Sequence, residues 1–280
     1  MNLEDIRQGA NGDCFILSSL ASILNSLGEN IIDNIYQDDS NGIIFNYYQK
    51  MDNSLEKKNK LFEYDEKEFR ISRKSKEWVR KIEYCYIKQF YNGSIENLTA
   101  NGGISYQVLE RLLGVPSKIL INRILDNKEK LYYEICNQFI IKDSWNIDFI
   151  KCLNLLTKSS VTIFIERLWR VLTKDISEIK SDNIYQVKVP CVVGVNGVFN
   201  KITIPGVINE HLYSVVGFFI DSYGNKFLQV FNPHHNVLAR YTTYDVEKDI
   251  FLSETKIDRY SIWSFYEIAI FVSDITYSQY

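Results

Sequence analysis

The sequence predicts an α+β protein in which a mainly helical first half is followed by a strand-rich second half. Three observations lead there. Apolar residues recur at helical spacing from Cys14 to Leu27. Runs rich in Val, Ile, Phe and Tyr crowd the chain beyond Val187. Between two of those runs, Asp221-Ser222-Tyr223-Gly224-Asn225 has the composition of a hairpin turn.

In chain order, Gly9 and Gly12 set a tight turn before Cys14, which opens the first helix; Leu17, Leu20, Ala21, Leu24 and Leu27 form its apolar face and Gly28 its C-terminal cap. Trp78, Ile82, Cys85 and Gln89 or Phe90 mark a second helix ending near Asn92-Gly93, and Val108, Leu109 and Leu112 a third before Gly114. The stretch from Pro116 to Asn183 mixes a helical pattern at Tyr132–Phe139 with a β-like run at Val161–Ile165, and a boundary is placed within it, between residues 145 and 146. Strands are expected at Val187–Val195, His211–Ile220, Lys226–Phe231 and Ile268–Val272.

Composition narrows the function. The 280 residues carry 32 Lys plus Arg against 35 Asp plus Glu, a net charge of -3, which leaves no electrostatic footprint for nucleic acid or an anionic membrane. A chain that is 46% hydrophobic and 24% charged has an ordinary globular balance and fits neither a disordered nor a transmembrane class. The five cysteines, Cys14, Cys85, Cys136, Cys152 and Cys191, show no C-x-x-C spacing, so a cytoplasmic or other reducing compartment is expected. The acidic N-terminal segment lacks the pattern of a signal peptide, and a piece of a longer protein is an equally consistent reading.

One pattern carries chemistry. A thiolate is the reactive form of cysteine, and a helix N-terminus together with an imidazolium stabilises it. Cys14 at a helix start, with His211 as general base, meets that need. Asn232 ends the strand after the hairpin turn and is placed to orient the imidazole, while Gln8 reaches across the Gly-containing turn to stabilise an oxyanion with the Cys14 amide. Taken singly, Cys14 reads as a packing residue, His211 as a core histidine, Asn232 as a turn residue and Gln8 as surface polarity. Asp13 is assigned to capping the helix or tying the turn. Cys85, Cys136, Cys152 and Cys191 are expected to pack in the interior, and His234-His235, neighbours on an extended segment, make a poor metal pair.

The segment Gln8-Gly9-Ala10-Asn11-Gly12-Asp13-Cys14-Phe15 resembles the nucleophile motif of the calpain-like cysteine peptidases. Further islands follow in the family's order: Glu77-Trp78 to Tyr86, Asn92-Gly93-Ser94, Asn101-Gly102-Gly103, His211-Leu212-Tyr213-Ser214-Val215, Phe231-Asn232-Pro233, and Trp263-Ser264-Phe265 through Ile270 as a closing helix or strand. They span the chain except Pro116 to Val187. The sequence departs from the family in two places: His234 stands where a tryptophan usually follows Asn-Pro, and Phe15 follows the nucleophile in place of tryptophan.

The resemblance implies a papain-like two-lobed fold, with a helical lobe over residues 1–145 carrying Cys14 and a β-rich lobe over residues 146–280 carrying His211 and Asn232. It implies a cysteine endopeptidase acting on protein or peptide substrates through an acyl-enzyme thioester. Acyl transfer or isopeptide cleavage on the same fold, and a catalytically silent protein-binding module, are the alternatives. No cofactor is required for the chemistry. Calcium is implied as an activator through Asp5 and Glu96, two carboxylates where calcium takes about six to eight oxygens.

Overall fold

The computed structural model describes residues 1–9, 12–65, 74–94, 97–98, 103–121, 158–195 and 204–279. Helix and strand are mixed throughout this α+β chain. Helix α1 spans Cys14–Leu27, and ten consecutive residues from Phe15 to Leu24 are buried, so it is enclosed on every side. It ends at Gly28, whose positive φ of 80° suits a residue without a Cβ and whose amide donates to Leu24 O at 3.0 Å.

A short helix α2 (Glu29–Asp33) leads into an antiparallel three-stranded sheet of β1 (Tyr36–Asp39), β2 (Gly42–Met51) and β3 (Ser54–Phe62). The first half is therefore less helical than its sequence suggests. Ile43, Phe45 and Tyr47 alternate inward along β2, but β3 is exposed along most of its length and gives a weak apolar signal. Helices α3 (Glu77–Phe90) and α4 (Ser105–Leu113) complete a core of Ile16, Leu20, Phe45, Trp78, Ile82 and Leu109, among others. Val216 and Phe231 from the second half also belong to that core.

The second core lies against a large sheet, ordered among the described residues β10-β9-β11-β8-β7-β6-β12-β4, with β5 on β7. Its strands are β4 (Ser117–Ile121), β5 (Tyr185–Gln186), β6 (Cys191–Val195), β7 (His211–Ile220), β8 (Lys226–Phe231), β9 (Leu238–Asp245), β10 (Ile250–Ile257), β11 (Tyr260–Ser264) and β12 (Val272–Ser278). Strand β4 comes from the first half yet pairs with β12, Ile275 opposite Leu120. The turn expected at Asp221–Asn225 does join β7 to β8, with Asp221 Oδ1 accepting from the Tyr223 and Asn225 amides.

Two expected strand segments are helical. Val161–Ile165 lies inside α5 (Lys158–Thr173), whose buried Phe164, Leu168 and Leu172 recur at helical spacing. Ile268–Phe271 belongs to α6 (Phe265–Phe271), and the strand begins only at Val272. A reciprocal Ser264–Glu267 capping box starts α6, and Glu267 also holds the buried Arg240 at 2.7 Å. The helical pattern at Tyr132–Phe139 lies outside the described residues.

The seam between the two cores is polar. Ser18 Oγ donates to Leu212 O at 2.6 Å, Ser214 Oγ donates to Ser18 O at 2.6 Å, Ser22 Oγ donates to Cys191 O at 3.0 Å, and Asn25 Nδ2 donates to Val216 O at 3.0 Å. Ser18, Ser22 and Asn25 follow Cys14 along one stripe of α1. The helix therefore runs alongside β7 in the same direction, bonded to its carbonyls and to that of Cys191 in β6.

Removing one of these hydroxyls strands a buried backbone carbonyl. Ser22→Ala is expected to lower unfolding free energy by about 1–3 kcal/mol, read from the urea midpoint. Ser26 Oγ has no partner among the described residues, so Ser26→Ala serves as a control that leaves the midpoint within about 0.5 kcal/mol.

Candidate active site

The stripe fixes where Cys14 stands. Ser18 is level with Leu212–Ser214; four helical residues back is about 6 Å, and two strand residues back is about 6.6 Å. Cys14 is thus brought abreast of His211 at the start of β7. Consistent with this, the Leu212 backbone lies within hydrogen-bonding reach of the half-buried Cys14 sulfur, and the Tyr213 hydroxyl is near enough to sense ionisation of that sulfur.

His211 is 4% exposed, and its Nε2 lies 2.9 Å from Asn232 Oδ1. The same Oδ1 accepts the His234 backbone N–H at 2.9 Å, which identifies it as the carboxamide oxygen. An amide oxygen only accepts, so Nε2 carries the proton and Nδ1 is the ring nitrogen left for exchange. The hairpin brings the two residues together across antiparallel β7 and β8. The His234 ring lies against the His211 ring, centroids 4.8 Å apart and planes inclined by 33°. Where the resembled family has tryptophan, this chain still covers its histidine with an aromatic ring.

Gln8 is held from behind, its backbone N–H donating to Pro233 O at 2.8 Å. Arg259 strengthens that junction. Its Nη1 donates to Glu4 Oε2 at 3.1 Å, its Nη2 to Ile6 O and to Pro233 O at 3.3 Å, and its backbone O accepts from Asn232 N at 2.8 Å. The guanidinium also lies 4.4 Å over the Phe231 ring. One buried side chain thereby ties the segment bearing Gln8 to the turn bearing Asn232. Sequence reasoning did not single it out, because an isolated arginine after an aspartate carries no motif.

Burial opposes charge at both central groups. It pushes the Cys14 thiol up to about 11, with Asp13 adding to the rise and the Leu212 backbone opposing it. It pulls His211 down to about 3; His234 lowers it further and Asn232 works the other way. At rest both groups are neutral, unlike the thiolate–imidazolium pair that their placement at a helix start suggested. His234 is also lowered, by burial and then by Lys74.

Other assignments are redistributed. Asp13 occupies the N-cap position but makes no side-chain capping bond; its buried carboxyl sits with Glu83 and Gln8 instead. Asp5 Oδ2 accepts from the Asn2 amide at 3.0 Å and from Trp78 Nε1 at 3.1 Å, tying the N-terminal segment to α3. Glu96 lies outside the described residues, and among those described no three metal-ligating side chains converge. Cys85 and Cys191 are free and buried as expected, while Cys136 and Cys152 lie outside the described residues. An open groove of about 460 Å³ lined by Tyr48, Lys50, Phe90, Tyr106 and Arg111 has no thiol or imidazole among its described lining residues. No helix among the described residues is long and apolar enough to cross a membrane. No protein-family model matches the chain, and no curated protein matches it.

Two predictions follow from this geometry. Arg259→Ala should destabilise the fold by about 2 kcal/mol or more, and Arg259→Lys should recover only part of it, since a point charge cannot serve several carbonyls at once. Because the folded pKa of His211 lies below its ordinary 6.5, the unfolded chain binds the extra proton between pH 6.5 and about 3. Stability contributed by this group is complete above pH 6.5 and is lost as pH falls toward 3. Denaturation midpoints across that range should drop less in His211→Phe than in the wild type.

Proposed function

We propose that the chain is a papain-like cysteine endopeptidase, with its cleft between a lobe bearing Cys14 and a lobe bearing His211 and Asn232. The observation that carries this reading is the buried His211 Nε2···Asn232 Oδ1 contact of 2.9 Å. It leaves Nδ1 as the exchanging nitrogen on a ring abreast of a cysteine that opens a buried helix. A packing histidine would also need a partner for its ring N–H; what favours function is that the partner leaves Nδ1 for a ring abreast of Cys14 at a helix start.

In this reading the Cys14 Sγ attacks the scissile carbonyl carbon as its proton passes to His211 Nδ1. The resulting oxyanion is held by the Cys14 backbone N–H and the Gln8 amide. His211 gives the proton to the leaving amine, the C–N bond breaks, and a thioester remains. Water then attacks the thioester while His211 takes its proton; the acid leaves and the thiol is restored. Protein or peptide is the substrate class, and no step calls for a metal. Calcium as an activator would have to draw ligands besides Asp5, one of whose carboxylate oxygens already accepts two hydrogen bonds.

The second reading is a protein-binding module of the same fold that has lost catalysis, supported by His234 standing where the resembled family has tryptophan. A peptidyl epoxide separates the two. For the peptidase, the epoxide modifies Cys14 at neutral pH, modification is absent in Cys14→Ala, and it slows about 10²–10⁴-fold in His211→Ala. Asn232→Ala should slow it less, with the loss growing in the double variant Asn232→Ala/His234→Ala as water reaches the ring. Labelling no faster than that of a free peptide thiol would remove the peptidase reading, and amide or isopeptide products from an added amine would move it to acyl transfer.

A further inference from the structure

Two carboxyl groups that the proposed chemistry does not use lie behind the nucleophile. Asp13 immediately precedes Cys14, Glu83 projects from the middle of α3, and both are 0% exposed. Among the described residues, none of their four oxygens meets a donor at full hydrogen-bond geometry. The two side chains are nonetheless in contact with each other, and Gln8 is in contact with Asp13. Among the described residues no cation acts on either carboxyl.

Ionised carboxylates only accept hydrogen bonds, so two of them side by side repel and neither can satisfy the other. One proton resolves both difficulties: it makes a charge-assisted O–H···O bond and halves the buried charge. We propose that Asp13 and Glu83 share a single proton, held on Glu83, and so limit the fixed charge behind Cys14 to one, carried by Asp13.

Glu83 keeps the proton because, among the described residues, only Asp13 reaches it, whereas Asp13 has the Gln8 amide and its own backbone to support a charge. One hydrogen on Gln8 Nε2 then serves Asp13, and in the peptidase reading the same amide faces the oxyanion. The titratable groups facing the pair are Cys14 on α1 and each carboxyl toward the other. A charged Asp13 opposes thiolate formation, and a second charge would oppose it further. The shared proton stands on the geometry alone; its importance for catalysis rests on the peptidase reading, as positioning and tuning residues for Cys14 and Gln8.

Isosteric substitutions count the charge. The pH midpoint of Cys14 alkylation by iodoacetamide, followed by peptide mass mapping, is compared in the wild type, Asp13→Asn and Glu83→Gln. With one charge on Asp13, Asp13→Asn lowers the midpoint by about one unit or more, and Glu83→Gln leaves it in place. Two charges would make both substitutions lower it, and a fully protonated pair would make neither do so; each result overturns the proposal. Infrared spectroscopy supplies a test on the wild type itself, even if a variant does not fold. A protonated-carboxyl C=O band should be present at neutral pH, shift in D2O and be missing from Glu83→Gln; its absence from the wild type overturns the shared proton. Neither measurement needs peptide turnover, so failure of the peptidase reading shows separately, in the epoxide experiment.

Discussion

The hydrogen bonds between the polar stripe of α1 and the carbonyls of β7 and β6 are the constraint from which the rest of the arrangement follows. Ser18, Ser22 and Asn25 satisfy backbone groups that would otherwise be buried at the join of two apolar cores. Apolar contact alone would let a helix slide along a sheet, since hydrophobic burial has no direction. Directional bonds at one-turn intervals do not allow this. They hold the start of α1 level with the start of β7, and every distance within the candidate site inherits that register.

A second tie closes the other side. Arg259 spans the N-terminal segment and the Asn232–Pro233 turn, while Gln8 N–H meets Pro233 O directly. Gln8 and Asn232, the residues proposed to hold the oxyanion and to orient the histidine, are thereby mounted on one junction. The His234 ring adds to it from outside, covering His211 while its backbone N–H occupies the second lone pair of Asn232. Such a doubly engaged carboxamide cannot rotate without losing two bonds, so the imidazole tautomer is fixed by the backbone as much as by the side chain.

Burial of the site has an electrostatic cost that runs through all its titratable members. Cys14 is held protonated, His211 unprotonated, and the Asp13 and Glu83 carboxyls are raised, each chiefly by the loss of water. His211 and the carboxyl pair act oppositely on acid stability: a neutral histidine is penalised as pH falls, a raised carboxyl as pH rises above its ordinary value. For the proposed nucleophile, a charge separation that is unfavourable at rest becomes accessible when both charges arise together next to a polar substrate carbonyl.

Local pattern settled much of this molecule before any contact was known. The sequence alone determined α1, its Gly28 stop, strands β7 and β8 with the turn between them, and the identity of Cys14, His211, Asn232 and Gln8 as candidates. Helical spacing, β-branched runs and turn residues are all properties of neighbouring positions. It misread Val161–Ile165 and Ile268–Phe271, where β-branched residues sit on helices packed against the large sheet, because tertiary burial outweighs weak intrinsic preference. Only the tertiary structure decided the pairing of β4 with β12, the stitching of α1 to β7, the Arg259 tie, the meeting of Asp13 with Glu83 and the His234 cover. Each joins residues far apart in the chain or depends on which way a side chain turns, and desolvation, which sets the charge state of the whole site, exists only once those parts have closed on one another.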